Sequence, residues 1–203
     1  MKKYEEYMKK VGDRNGLFNL LSINFPINRV LYPGSYVDIT PSFYFPYTVY
    51  VDIDKKAKKF FKKGEMIKDY IEENKEYSED SFFRYFPNDY RMKIDEKENS
   101  FDLLISLYAG FVSKYYKNYL KNGGLLLAND SHGDASMIQL DGRFRLVAVI
   151  DISGSKYIIS QKNLDQYFIL KKNYVVTVKK LEEYQKGIDF TKKADFYLFK
   201  FEI

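Results

Sequence analysis

The sequence contains no cysteine among its 203 residues. Disulfides, thiolate metal sites and a cysteine nucleophile are therefore excluded. Tryptophan is also absent, and His132 is the single histidine. Arginine is scarce: of 33 basic residues, only Arg14, Arg29, Arg84, Arg91, Arg143 and Arg145 are not lysine. A protein that reads nucleic acid leans on arginine for bidentate contacts, so nucleic acid is not indicated as a partner. No apolar run approaches the ~18 residues that span a bilayer, so no membrane is expected. Met1-Lys2-Lys3 leads into charged residues instead of a signal-peptide core. The expectation is a cytoplasmic protein.

What is present is an aromatic, mildly basic chain. Hydrophobic residues make up 45% and aromatics 18%, with 20 Tyr and 17 Phe, and the formal net charge is +5. An AT-rich coding bias produces the same excess of Tyr, Phe and Lys, so the aromatic content does not by itself mark a site. The length suits one domain over 1–203, with residues 1–27 as an N-terminal helical cap. Helical periodicity is expected over Met1–Lys10, Gly16–Ile23, Lys55–Lys63, Glu65–Asn74, Lys114–Leu120 and Val176–Lys186. Apolar strands are expected at 29–32, 48–52, 81–86, 101–107, 125–128, 143–152, 156–160 and 194–203. Asn122-Gly123-Gly124 reads as a helix stop. Strands alternating with helices indicate βαβ units and a mainly parallel α/β sheet, and the late strands an antiparallel edge.

In such a sheet, ligands bind beyond the carboxyl ends of the central strands. The polar residues that follow strands are Gly34-Ser35, Asp52 and Asp54, Asn88-Asp89, Ser106, and Asn129-Asp130-Ser131-His132. Their order resembles the class I S-adenosylmethionine-dependent methyltransferases from about Arg29 to Asp134. "VYVDIDKKAKKFF" (49–61) resembles the second motif of that family, "FDLLISLYAGF" (101–111) the fourth-strand motif and "YLKNGGLLLAND" (119–130) the turn into the fifth strand. The resemblance implies a Rossmann-like three-layer αβα sandwich with a mainly parallel seven-stranded sheet. It also implies S-adenosylmethionine as cofactor, with Asp52 on the ribose hydroxyls, Asp54 the near alternative, and Asn88-Asp89 beside the adenine. Gly34, Ser35, Tyr36 and Ser106 would line the rest of the cofactor site.

The opening motif departs from the family pattern. "RVLYPGSYVDITPSF" (29–43) has Tyr32 where an acidic residue is usual and Tyr36 where a second glycine is usual. A tyrosine there adds a Cβ and a ring and disfavours positive φ. Weak cofactor binding follows as the expectation. Ser35, Asp38, Thr40 and Ser42 are either polar contacts to the amino-acid end of the cofactor or caps of the following turn. His132 is either a general base or an exposed loop histidine, with Asp130 and Asp134 flanking it. The fourth strand ends without a carboxylate, so no metal is expected. "SLYAGF" is not the motif of exocyclic-amine methylation, and cytosine-5 methylation lacks its cysteine. Two readings remain: a methyltransferase acting on a small or unidentified acceptor, and a non-catalytic descendant of the fold that binds a ligand or protein partner.

Overall fold

A computed structural model describes residues 1–172 and 175–202. Two helices, α1 (Lys2–Val11) and α2 (Asn15–Asn24), precede strand β1 (Arg29–Pro33). There follow β2 (Tyr47–Val51), α3 (Lys55–Phe61), α4 (Gly64–Asn74), β3 (Phe82–Phe86) and β4 (Phe101–Ser106). The second half comprises α5 (Val112–Tyr116), β5 (Leu120–Ala128), α6 (Asp134–Gln139), β6 (Phe144–Ser153), β7 (Lys156–Ser160), α7 (Val178–Tyr184) and β8 (Phe196–Phe201). Ile203, expected in the closing strand, lies outside the described residues.

The strands form one sheet in the order β3-β2-β1-β4-β5-β8-β6-β7. β3, β2, β1, β4 and β5 run parallel, and β8 lies antiparallel between β5 and β6. The sheet has eight strands, one more than the family pattern implied. The extra strand is β7, a hairpin partner of β6 joined through Gly154-Ser155 with Ser153 paired to Lys156. Two intervening residues make the tightest common hairpin connection, so the chain turns back on the sheet edge at once.

Alternation along the strands divides the apolar side chains between two faces. Val30 and Tyr32 of β1 pack with Tyr4, Phe18, Phe60 and Ile67 from α1–α4. Leu31 packs on the opposite side with Val112 and Tyr116 of α5 and Ile138 of α6. β1 and β4 are covered on both faces, which is why they read as unbroken apolar runs. The β1–β2 connection carries only a 3-10 turn, Thr40–Phe43, and residues 87–100 between β3 and β4 form turns without a helix.

The helix expected over Lys114–Leu120 ends at Tyr116, passes through a 3-10 turn (Lys117–Tyr119) and yields Leu120 to β5. The glycines act inside the strand. Leu120 pairs with Phe101 and Leu125 with Leu103, so residues 121–124 bulge out between two paired positions. A Cβ on Gly124 would lie 2.9 Å from the Lys121 carbonyl oxygen and 3.1 Å from that of Phe101. Gly124 therefore permits the close backbone passage that the bulge requires.

One buried polar network ties the N-terminal helices to the end of β1. Arg14, between α1 and α2, is 4% exposed and Asp38 is fully buried. The Arg14 Nη1 donates to Asp38 Oδ2 at 2.7 Å and to the Tyr32 hydroxyl at 2.9 Å. Asp38 Oδ1 accepts from Thr40 N at 3.1 Å and from its hydroxyl at 2.6 Å, and Tyr4 reaches the same hydroxyl at 3.0 Å. Tyr32, which replaces an acidic residue, thus presents a hydroxyl to this pair, and burial holds its phenol well above the usual range. Removing one member of a buried pair leaves the other charge uncompensated. Arg14→Met should destabilise the protein by about 3–5 kcal/mol in urea unfolding, and Asp38→Asn added to it should restore part of the loss. Equal midpoints for Arg14→Met and wild type would show that the pair carries no such weight.

Candidate functional site

The chain leaves β1 toward β2 on one side and returns through β4 toward β5 on the other, so strand order reverses between β1 and β4. That reversal opens a crevice at the carboxyl edge in α/β sheets. Here the turns after β1 and β4 touch. Gly34 has φ +71°, its N–H donates to the Val51 carbonyl at 2.7 Å, and an added Cβ would stand 2.2 Å from the Ala109 Cβ. Only glycine fits that contact.

Two residues later Tyr36 adopts φ 51°, a left-handed conformation. A side chain there costs about 1–2 kcal/mol. The compensating contact is its N–H, which donates to Asp52 Oδ2 at 2.7 Å. The ring leaves the turn toward α1, where it meets Tyr7 edge-on at 5.0 Å and 67°. Tyr36 therefore keeps the left-handed backbone favoured by the glycine it replaces and directs its bulk to the helical layer. Ser35, between them, is 1% exposed, and its hydroxyl has no hydrogen-bond partner among the described residues.

Asp52, just past β2, also accepts from the Asp54 N–H at 2.7 Å, and the Tyr85 hydroxyl donates to its carbonyl at 2.7 Å. Half-burial raises its pKa against the lowering effect of these amides. Asp54 is exposed and caps α3, with Oδ1 accepting from Lys56 N at 2.6 Å and Ala57 N at 3.3 Å. Asn88 and Asp89 are half-buried after β3, and Asp89 is gripped by the Arg91 guanidinium, which holds its carboxyl below the usual range. Asp38, Thr40 and Ser42 turn inward: Ser42 meets the Tyr50 hydroxyl, and the other two belong to the Arg14 network.

The fourth and fifth strand ends are joined by a buried carboxylate. Asp134, the first residue of α6, is 2% exposed and accepts from the hydroxyls of Ser106 and Ser113 and from Ser113 N at 3.1 Å. Burial outweighs these donors and pushes its pKa up to about 6. Asn129 Oδ1 accepts from Tyr108 N at 3.3 Å and from the Ser131 hydroxyl at 3.1 Å. Asp130 accepts from Ser136 N and its hydroxyl, both at 2.8 Å, and from Ile188 N at 3.2 Å. His132 is exposed on the rim of a cavity of about 160 Å³ shared with Tyr90, Tyr108, Gly110 and Gln185. Among the described residues no cluster of three His, Asp or Glu side chains is placed to hold a metal ion.

Gly34, Tyr36 and Asp52 are thus brought together, as are Ser106 and the 129–134 loop, whereas Asp54 and Asp89 are engaged with a helix start and an arginine. The weight carried by Arg14, Ser113 and Asp134 was not read from the sequence. The signal available was Asp134 opening a short apolar helix, with serines at the end of the fourth strand and just after it.

Whether these residues suit S-adenosylmethionine turns on polar groups and on room. The polar groups suit it: a left-handed turn at 34 and 36, a pinned carboxylate after β2 and the orphan Ser35 hydroxyl. Room is the constraint, because Gly34 rests on Ala109, and the 160 Å³ cavity at the 108–111 turn is lined by none of Gly34, Ser35, Tyr36 or Asp52. Asp52 and Ser35 supply the polar groups such a cofactor's ribose and amino-acid end require. The 107–111 turn sets the space for the remainder.

No family model matches the sequence, and no curated protein matches it. Solved structures do. A candidate O-methyltransferase from Klebsiella pneumoniae superposes with a TM-score of 0.53 at 10% identity, covering 100% of this chain and 97% of that one. A SAM-dependent methyltransferase from Thermotoga maritima gives 0.53 at 9% identity, covering 98% and 94%. The YcgJ protein of Bacillus subtilis gives 0.39 at 18% identity over 60% of this chain, and the match spans only 54% of that protein. At such identities the likeness is one of fold. The chain has the Rossmann-like fold of the class I S-adenosylmethionine-dependent methyltransferases.

The buried Asp134 has a measurable consequence. The native state keeps a proton there up to about pH 6, whereas the unfolded chain releases it near the ordinary aspartate value of about 4. Its ionisation penalty therefore lowers stability as pH rises from about 4 to about 6, and Asp52 and Asp130, also raised by burial, act in the same sense. Asp134→Asn removes the Asp134 share. Relative to wild type, its unfolding free energy should improve by about 3 kcal/mol between pH 4 and pH 7 in urea titrations. Parallel pH profiles for the two proteins would contradict this.

Proposed function

We propose that the protein is an S-adenosylmethionine-dependent methyltransferase acting on a small-molecule acceptor. The observation that carries this reading is the Tyr36 amide on the Asp52 carboxylate, within a turn that is left-handed at 34 and 36. Such a turn lets a backbone pass close to a ligand, and the carboxylate after β2 retains lone pairs for the two ribose hydroxyls. Gly34 and Ser35 would line the turn, the Ser35 hydroxyl gaining the partner it lacks within the chain. Asn88 and Asp89 would stand beside the adenine. Ser106 would act through Asp134, fixing the end of β4 rather than touching the cofactor.

The bound cofactor supplies an electrophilic methyl group on a sulfonium. The chain's own contribution is to position the acceptor in line with that methyl, to keep water out and to take the acceptor's proton. His132, exposed at the rim with Tyr90 and Tyr108, is the residue for that proton. The tight Gly34–Ala109 contact predicts modest affinity, micromolar or weaker, about −8 kcal/mol at most.

Calorimetric titration with S-adenosylmethionine and S-adenosylhomocysteine tests the reading. Saturable one-site binding is expected, and Asp52→Ala should weaken it by about 1.5–3 kcal/mol, with Asp52→Asn intermediate because one acceptor oxygen remains. No heat at millimolar cofactor would overturn the assignment. His132→Ala should lower turnover by about 10²–10⁴-fold on an acceptor that supports it, with cofactor affinity unchanged. Full activity in that variant would remove His132 from the chemistry.

A further inference from the structure

A large groove of the molecule does not lie in the crevice but beside it, between α1 and α3. It measures about 830 Å³, and its wall is shared with the candidate cofactor turn through Tyr36. The Tyr36 backbone faces Asp52 while its ring, with Tyr7 and Phe60, makes the groove's aromatic lining.

The charge around those rings is predominantly positive: five lysines line the groove against one carboxylate, Glu6. Lys3, Lys10, Lys56 and Lys63 line the groove, and among the described residues none of the four has a carboxylate within ion-pair distance. Lys2 does have one, Glu6 at 3.9 Å, both side chains being well exposed. Asp54, whose charge also acts on Lys3 and Tyr36, accepts from amides of α3 through Oδ1. Lys3 is the most constrained cation. Its ammonium donates to the Lys56 carbonyl at 3.4 Å and lies 5.7 Å from the centre of the Tyr36 ring. Burial and the neighbouring Lys56 lower its pKa, against the opposing pull of Asp54 and Glu6. Lys3 over the Tyr36 ring, with Lys10, Lys56 and Lys63 beside it on the same lining, makes a net positive field that disfavours a sulfonium and attracts an anion. The groove is therefore unsuited to the cofactor's charged centre, and its volume lies within the ~300–1,000 Å³ of small-molecule sites.

We propose that this groove binds a small anionic molecule with an aromatic body, an aryl phosphate or aryl carboxylate, its ring against Tyr7 and Tyr36 and its anion among Lys3, Lys56 and Lys63. Its binding in the groove does not depend on the methyltransferase reading.

The test uses phenyl phosphate, benzoate and phenol as probes, titrated by calorimetry without cofactor. Phenyl phosphate or benzoate should bind saturably, with the better of the two identifying the head group, and phenol should not bind measurably. Affinity should fall with added salt as the ammonium groups are screened. The double variant Lys56→Glu/Lys63→Glu should lose at least tenfold in affinity for the anionic probe while its cofactor titration and circular dichroism match wild type. Tyr36→Ala, a variant that keeps every lysine, should lose affinity for the aryl anion but not for inorganic phosphate. Phenol binding as tightly as the anions, or equal anion affinity in wild type and the double variant, would overturn the proposal. Anion binding that follows the lysines in a protein showing no cofactor binding would support the groove and overturn only the methyltransferase reading.

Discussion

Backbone amides in turns and in the first turns of helices lack partners within their own element, and at the carboxyl edge of this sheet aspartates accept many of them. Asp38 takes the amide of Thr40, Asp52 those of Tyr36 and Asp54, Asp130 those of Ser136 and Ile188, and Asp134 that of Ser113. Each carboxylate therefore fixes a turn that the sheet alone leaves undirected. The cost is desolvation, visible in the raised pKa values of Asp52, Asp130 and Asp134. Asp38 meets the same cost with a buried guanidinium, which is why Arg14, outside the sheet altogether, governs the shape of the turn after β1.

The left-handed residues occur on both sides of the crevice. Tyr36 follows β1 with φ 51° and Tyr108 follows β4 with φ 59°, and the Gly34–Ala109 contact lies between these turns. Tyr36 is held by Asp52, and Tyr108 by the side chain of Asn129. Backbone strain of this kind persists only where surrounding contacts over-determine it, and it gathers at ligand sites. The two tyrosines strain the turns whose separation sets the width of the crevice. Asn99, Asn163, Phe168 and Gln185 are left-handed elsewhere in the chain, but only Tyr36 and Tyr108 flank this crevice.

Much of the architecture was legible because it depends on burial patterns of adjacent residues. The runs at 29–32 and 101–107 are apolar on both faces, and the helices at 2–11 and 64–74 repeat their buried positions at helical spacing. Asp52 was legible as a residue just past a strand. What escaped depends on partners distant in sequence. The φ of Tyr36 is supported by a carboxylate sixteen residues away, and no local propensity reports that. The bulge at 121–124 exists because β4 offers Phe101 and Leu103 as pairing positions, so the glycines that suggested a helix stop serve a strand instead. Asp134 becomes a buried hub only when Ser106 and Ser113 are carried to it by β4 and α5.

Charge is segregated around Tyr36 in a way composition could not reveal. A net +5 spread evenly would give a featureless surface, yet the carboxylates Asp52, Asp130 and Asp134 lie along the crevice edge while unpaired lysines gather across the Tyr36 ring on α1 and α3. The ring is an apolar partition between fields of opposite sign, and its edge-on contact with Tyr7 holds it there. A glycine at 36 would relieve the left-handed backbone and remove the partition together. The departure from the glycine pattern, which on the sequence looks like damage to one turn, therefore reads in three dimensions as a wall between the Asp52 turn and the lysine-lined groove.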